Sequence, residues 1–185
     1  MKAMFLRPAP DVIKVTSWLI FYTSLSLPAY AAPERHIELE GQSNFRDVGG
    51  YLTTDGRHVK WGEVHRSGEL HKLSDADVAK LDAMGIKAVA NFLSEREIES
   101  RGHDRLPDGT KEIPLPVEAG ILGVMAGVIQ EACGTGDFSK VPVELNSEMH
   151  RVLINEGREY YATLLREIAD PSNRPMVYHC SHGAH

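Results

Sequence analysis

The sequence predicts an α/β domain with a central, partly parallel sheet flanked by helices. Three observations carry that expectation. Short apolar runs of strand length, at residues 86–92, 111–115 and 175–179, are separated by segments with helical spacing. Two capping patterns, Ser74-Asp75-Ala76-Asp77 and Ser94-Glu95-Arg96-Glu97, mark helix starts between those runs. Alternation of strands with helices is how parallel neighbours are joined.

Taken in order, residues 1–31 stand apart. Lys2, Arg7 and Lys14 precede an apolar run at residues 15–27, Pro28 breaks it, and Ala29-Tyr30-Ala31 offers a small-x-small site. That is the pattern of a secretory signal cleaved after Ala31. The run is short of the ~20 apolar residues a spanning helix requires. The expectation is a signal peptide at 1–31 and one domain at 32–185, exported to the periplasm or secreted, with no stable membrane anchor after cleavage.

Within that domain, residues 36–40 alternate like a first strand, and residues 42–50 are turn-rich. Asp55-Gly56, flanked by Tyr51-Leu52-Thr53 and Arg57-His58-Val59, reads as a hairpin. A short strand is expected at 62–66. The Ser74 helix carries Val78, Leu81 and Met84 on one face and stops at Gly85. The Ser94 helix runs to about Ser100. Residues 119–131 are apolar and read as a helix of the core. Residues 145–169 keep helical spacing, with Gly157 placed to divide them.

The 185-residue chain has 42% hydrophobic and 25% charged residues, ordinary for a globular domain. Its formal charge is −6, and the leader is itself cationic, so the remainder is more acidic still. No nucleic-acid partner is expected of such a chain, and any anionic substrate must be held by a local site. Cys133 and Cys180 are the two cysteines; a core of this size needs no disulfide framework.

Chemistry concentrates in the tail, His179-Cys180-Ser181-His182-Gly183-Ala184-His185. A cysteine there leaves a buried strand and enters a short glycine-containing loop. Converging loop amides bind an oxyanion, and the same field lowers the thiol pKa below about 8.5 and exposes a nucleophilic thiolate.

The tail resembles the His-Cys-x-x-Gly-x-x-Arg loop of the cysteine-dependent tyrosine and dual-specificity phosphatases, matching at His179, Cys180 and Gly183. The string Asn44-Phe45-Arg46-Asp47-Val48-Gly49-Gly50-Tyr51, then Asp55-Gly56-Arg57, His65-Arg66-Ser67 and Leu70, looks like the N-terminal signature of the bacterial tyrosine phosphatase branch. The resemblance implies a tyrosine phosphatase-like fold and a phosphorylated substrate, phosphotyrosine or another phosphomonoester. It places the loop arginine one position beyond His185, so the chain as it stands is expected to be C-terminally incomplete and nearly inactive.

The resemblance also implies roles. Cys180 attacks phosphorus to form a phosphocysteine, and the amides of Ser181, His182, Gly183, Ala184 and His185 hold the equatorial oxygens. The general acid is expected from a loop after the 111–115 strand, which offers Glu118, with His185 as rival. His179 supports the thiolate or a backbone bond, and Arg46 and Asp47 are expected to form an ion pair beneath the loop. No cofactor or metal is required. Two departures stand out: the branch usually has Asp-Leu-Arg-Ser where this chain has Asn91-Phe92-Leu93-Ser94, and Lys-Asp where it has Ala184-His185. Two other readings compete: a non-catalytic phosphate-binding relative, and a metal module built from His179, Cys180, His182 and His185.

Overall fold

The structure, a computed structural model, describes residues 34–117 and 120–183. The leader pattern at 1–31 lies outside those residues, as do Glu118, Ala184 and His185. The described chain is an α/β layer around a five-stranded mixed sheet. Strand β1 (Arg46–Asp47) runs antiparallel to β2 (Val64–Ser67). Strands β3 (Ala88–Asn91), β4 (Lys111–Pro114) and β5 (Met176–His179) complete the sheet in the order β1-β2-β5-β3-β4. The pairings of β5 with β2 and β3, and of β3 with β4, are parallel.

Strand alternation sorts the core onto two faces. Val89 and Val177 pack with Phe45, Leu70, Leu73 and Leu81 on one face. Ala88, Ala90 and Met176 pack with Val64, Ile113, Leu115 and Leu164 on the other. Leu81 belongs to α1 (Asp75–Ala83) and Leu164 to α5 (Arg158–Ala169), so one helix covers each face. Leu81 is wholly buried; truncating such a leucine to alanine costs about 2–5 kcal/mol.

The helix boundaries follow from local chemistry. Ser74 and Asp77 form a reciprocal capping box at the start of α1. At its other end Gly85 takes φ +69, and the Ile86 amide donates to the Leu81 carbonyl at 3.2 Å, satisfying an orphan acceptor. Ser94 and Glu97 repeat the box for α2 (Glu95–Arg101). Helix α3 spans Gly120–Thr135, and α4 (Leu145–Glu156) is divided from α5 at Gly157. There the space a Cβ would fill lies 2.4 Å from the Leu153 carbonyl oxygen and 3.0 Å from Val117 Cγ1. Among the described residues, no helix is long and apolar enough to cross a membrane.

Three expectations require correction. Helix α3 is not a helix of the core: Val124 and Ile129 are exposed, and among its described side chains only Ala132 is buried. Residues 36–40 do not form a strand; only His36 bridges Arg46. The amides of Glu40 and Gly41 turn instead to the Asp77 carboxylate, each at 2.8 Å, which draws the chain off the sheet edge. The turn-rich stretch 42–50 contains β1. The Asp55-Gly56 hairpin forms as a narrow ribbon with a single Leu52–His58 bridge and a Thr53 amide bond to the Arg57 carbonyl at 2.8 Å.

Candidate active site

Ser67, His179 and Asn91 occupy one row across β2, β5 and β3, each at the carboxyl end of its strand. Sites in parallel sheets open at that end. Cys180 follows directly from β5 and is partly buried; its thiol and that of Cys133 are both free.

The loop after Cys180 is organised by its carbonyls. His179 Nδ1 meets the Cys180 carbonyl at 3.4 Å. The Glu69 amide donates to the Ser181 carbonyl at 3.2 Å. Asn44 Nδ2 donates to the His182 carbonyl at 2.8 Å, and Arg46 Nη2 to the Gly183 carbonyl at 2.8 Å. In a planar trans peptide the N–H points opposite to the C=O. Holding each carbonyl toward the protein therefore turns the next amide away from it. Gly183 shows the consequence: its N–H donates to Cys180 Sγ at 3.2 Å.

The segment beginning at Gln42 supplies this bracing by strand-like alternation. Gln42, Asn44 and Arg46 serve the loop, while Phe45 between them is wholly buried and stacks on His65 with centroids 5.5 Å apart. Gln42 Nε2 donates to the Glu69 carbonyl at 2.8 Å, and its Oε1 accepts the Asn44 amide at 2.9 Å. Arg46 also donates through Nη1 to the Asn44 carbonyl and side-chain oxygens. The Ser181 hydroxyl pairs with His182 Nδ1 at 3.0 Å at the exposed edge of the loop.

The expected Arg46–Asp47 ion pair is not formed. Consecutive strand residues point to opposite faces. Asp47 accepts the amides of Gly49 and Gly62, each at 2.6 Å, and faces His65 Nε2 at 3.7 Å. It braces the 47–62 turn and bonds to none of the described loop residues, whereas Arg46 binds the loop directly. His65, buried beside Asp47, is held below its usual pKa by burial, against the pull of that carboxylate.

Beneath Cys180 lies a buried polar chain that includes Asp104, a residue the sequence does not single out. His179 Nε2 meets Asp104 Oδ2 at 2.8 Å, and the same oxygen accepts Asn91 Nδ2 at 3.0 Å. The His179 side chain is fully buried and that of Asp104 nearly so. Asp104 Oδ1 accepts the Leu70 amide at 3.3 Å, and Asn91 Oδ1 accepts the Leu93 amide at 2.8 Å. Asp104 sits among charged neighbours in a loop, 75 positions from His179, and its spacing resembles any solvated charge. Tyr161 lies on α5. Burial, then the charge of Cys180, pushes its phenol up, against Arg66.

The metal reading asked four tail residues to share an ion. Among the described residues, no group of three or more His, Cys, Asp or Glu side chains is placed to hold a metal. His179 Nε2 is committed to Asp104.

This loop agrees with what the chain is similar to. A stretch of 79 residues is 43% identical to the triple specificity protein phosphatase PtpB of Mycobacterium tuberculosis, covering 43% of this chain and 27% of that protein. Another, of 72 residues, is 38% identical to a putative tyrosine-protein phosphatase of Cupriavidus necator, covering 38% of this chain and 26% of the relative. The chain thus matches about a quarter of the length of each of these relatives. The sequence model of the tyrosine phosphatase family matches from Ile37 to Ala184, taking in both the bracing segment and the cysteine loop. With the match running from one half of the site to the other, the chain belongs to the tyrosine phosphatase family.

Proposed function

We propose that the protein hydrolyses phosphomonoesters through a phosphocysteine formed on Cys180. The observation that carries this reading is the Gly183 amide on the Cys180 sulfur, in a loop whose four described carbonyls are tied back to the protein. Such a loop presents a thiolate and amide donors to the same point, which is what a phosphoryl group requires.

In the first step the S–P bond forms as the P–O bond to the leaving group breaks, and a general acid protonates that oxygen. In the second step water attacks phosphorus, the S–P bond breaks, and phosphate leaves with the thiolate restored. The family resemblance supports phosphotyrosine as substrate. For the general acid the sequence offers Glu118 and His185. Export, inferred from the pattern at residues 1–31, would place the substrate outside the cytoplasm.

The test is p-nitrophenyl phosphate hydrolysis by the full-length protein and by Cys180→Ser. The expected result is a loss of about 10³-fold or more in kcat, with phosphate still protecting the loop from proteolysis. Undiminished turnover in Cys180→Ser would refute the phosphocysteine. Phosphate protection without any turnover in the unaltered protein would make it a binding relative instead.

A further inference from the structure

We infer that Asp104 is a positioning residue that keeps His179 as an imidazolium and thereby supports the Cys180 thiolate and its loop. The inference rests on the proposed role of Cys180 and adds a residue outside both signature segments.

A carboxylate and a carbonyl are both acceptors. His179 Nε2 faces the Asp104 carboxylate at 2.8 Å and Nδ1 faces the Cys180 carbonyl at 3.4 Å. A neutral imidazole carries one proton and can satisfy one of them; an imidazolium satisfies both. The partners of the two ring nitrogens decide where the protons sit. A fully buried imidazolium needs a compensating charge, and Asp104 supplies it at hydrogen-bond distance.

Asn91 is the direct β3 neighbour of His179 on β5 and donates to Asp104 Oδ2 at 3.0 Å. Asn91 thus holds the Asp104 carboxylate in place beside His179, so the two side chains are close enough to exchange roles. Among the described residues, the titratable groups around the loop include Arg46 from β1, Arg66 from β2, Glu69 paired with Arg101, Tyr161 from α5 and His182 in the loop itself.

The sign of one measurement decides the matter. With His179 charged, Asp104→Asn releases its proton, and the thiolate loses a cationic neighbour. With His179 neutral, the same change only removes a negative charge and makes the thiol more acidic. The experiment is the pH dependence of iodoacetamide alkylation of Cys180 in the full-length protein, with circular dichroism to verify folding. Asp104→Asn is expected to raise the midpoint by about one pH unit and to slow alkylation by up to about tenfold at pH values well below that midpoint. The swap Asn91→Asp with Asp104→Asn is expected to return the midpoint to its original value. On a His179→Gln background, Asp104→Asn should raise it no further.

An unmoved or lowered midpoint in folded Asp104→Asn overturns the inference. If that variant does not fold, the swap must match the unaltered protein and His179→Gln must raise the midpoint; failure of either overturns it. Alkylation needs no turnover, so the two proposals fail separately. Absent hydrolysis with the expected shifts removes the phosphatase reading alone, and hydrolysis with an unmoved midpoint removes the Asp104 role alone.

Discussion

Arg46 Nη2 donates to the Gly183 carbonyl at 2.8 Å across 137 residues of sequence. With Nη1 on Asn44, one guanidinium joins the first strand of the sheet to the far side of the cysteine loop. A lysine keeps the charge but not the planar fork. Arg46→Lys is expected to lower kcat/KM by about 10- to 100-fold, the loss of one charge-assisted hydrogen bond of about 1.5–3 kcal/mol. Steady-state kinetics on p-nitrophenyl phosphate check it; a change under twofold would mean that the loop holds its shape without Arg46.

Gly183 takes φ +69, and a Cβ there would lie 2.6 Å from the Ser67 carbonyl carbon and oxygen and 2.7 Å from the Gly68 nitrogen. All three are backbone atoms of the β2 exit and cannot step aside cheaply. Gly183→Ala is expected to cost about 1–3 kcal/mol, to lower the melting temperature, and to pull the amide off the Cys180 sulfur. Thermal melts and phosphate protection of Cys180 against alkylation read both effects. A melt and a protection curve matching the unaltered protein would contradict the packing described.

Asp77 ties three segments together. Its carboxylate accepts the amides of Glu40 and Gly41, each at 2.8 Å, and of Ser74 at 3.0 Å. Burial pushes its pKa up, but those amides and the Ser74 hydroxyl outweigh burial and hold it below 3.8. A carboxyl whose folded pKa is depressed binds fewer protons than in the unfolded chain. Its stabilisation is fully present above about pH 3.8 and is lost as pH falls through the lower, folded value. Asp77→Asn would aim an amide donor at another donor and should cost about 2 kcal/mol at pH 6. The gap between the two melting curves should close toward pH 3; a gap independent of pH would contradict this linkage.

Much of the sheet was legible because its signals are local. The capping serines, Gly85 and Gly157 act on their own neighbours, so spacing alone places α1, α2 and the α4–α5 break. Cys180 at a strand end was legible for the same reason. The strand expected at 36–40 was not, because its fate depends on Asp77, more than 35 positions away. Arg46 and Asp47 looked like a pair because they are adjacent, but a strand sends neighbours to opposite faces. Asp104 carries no local signal at all.

The sequence by itself determined the strands β3, β4 and β5 and the starts of α1 and α2, that Cys180 ends a buried strand, and that the Asn44–Tyr51 string and the tail share a family pattern. Those properties reside in short-range periodicity, capping and residue type. Only the tertiary structure decided which donor meets which loop carbonyl and which carboxylate faces His179. Hydrogen bonds have strict distance and direction, and chain separation says nothing about either until parallel pairing of β2, β5 and β3 brings the partners together.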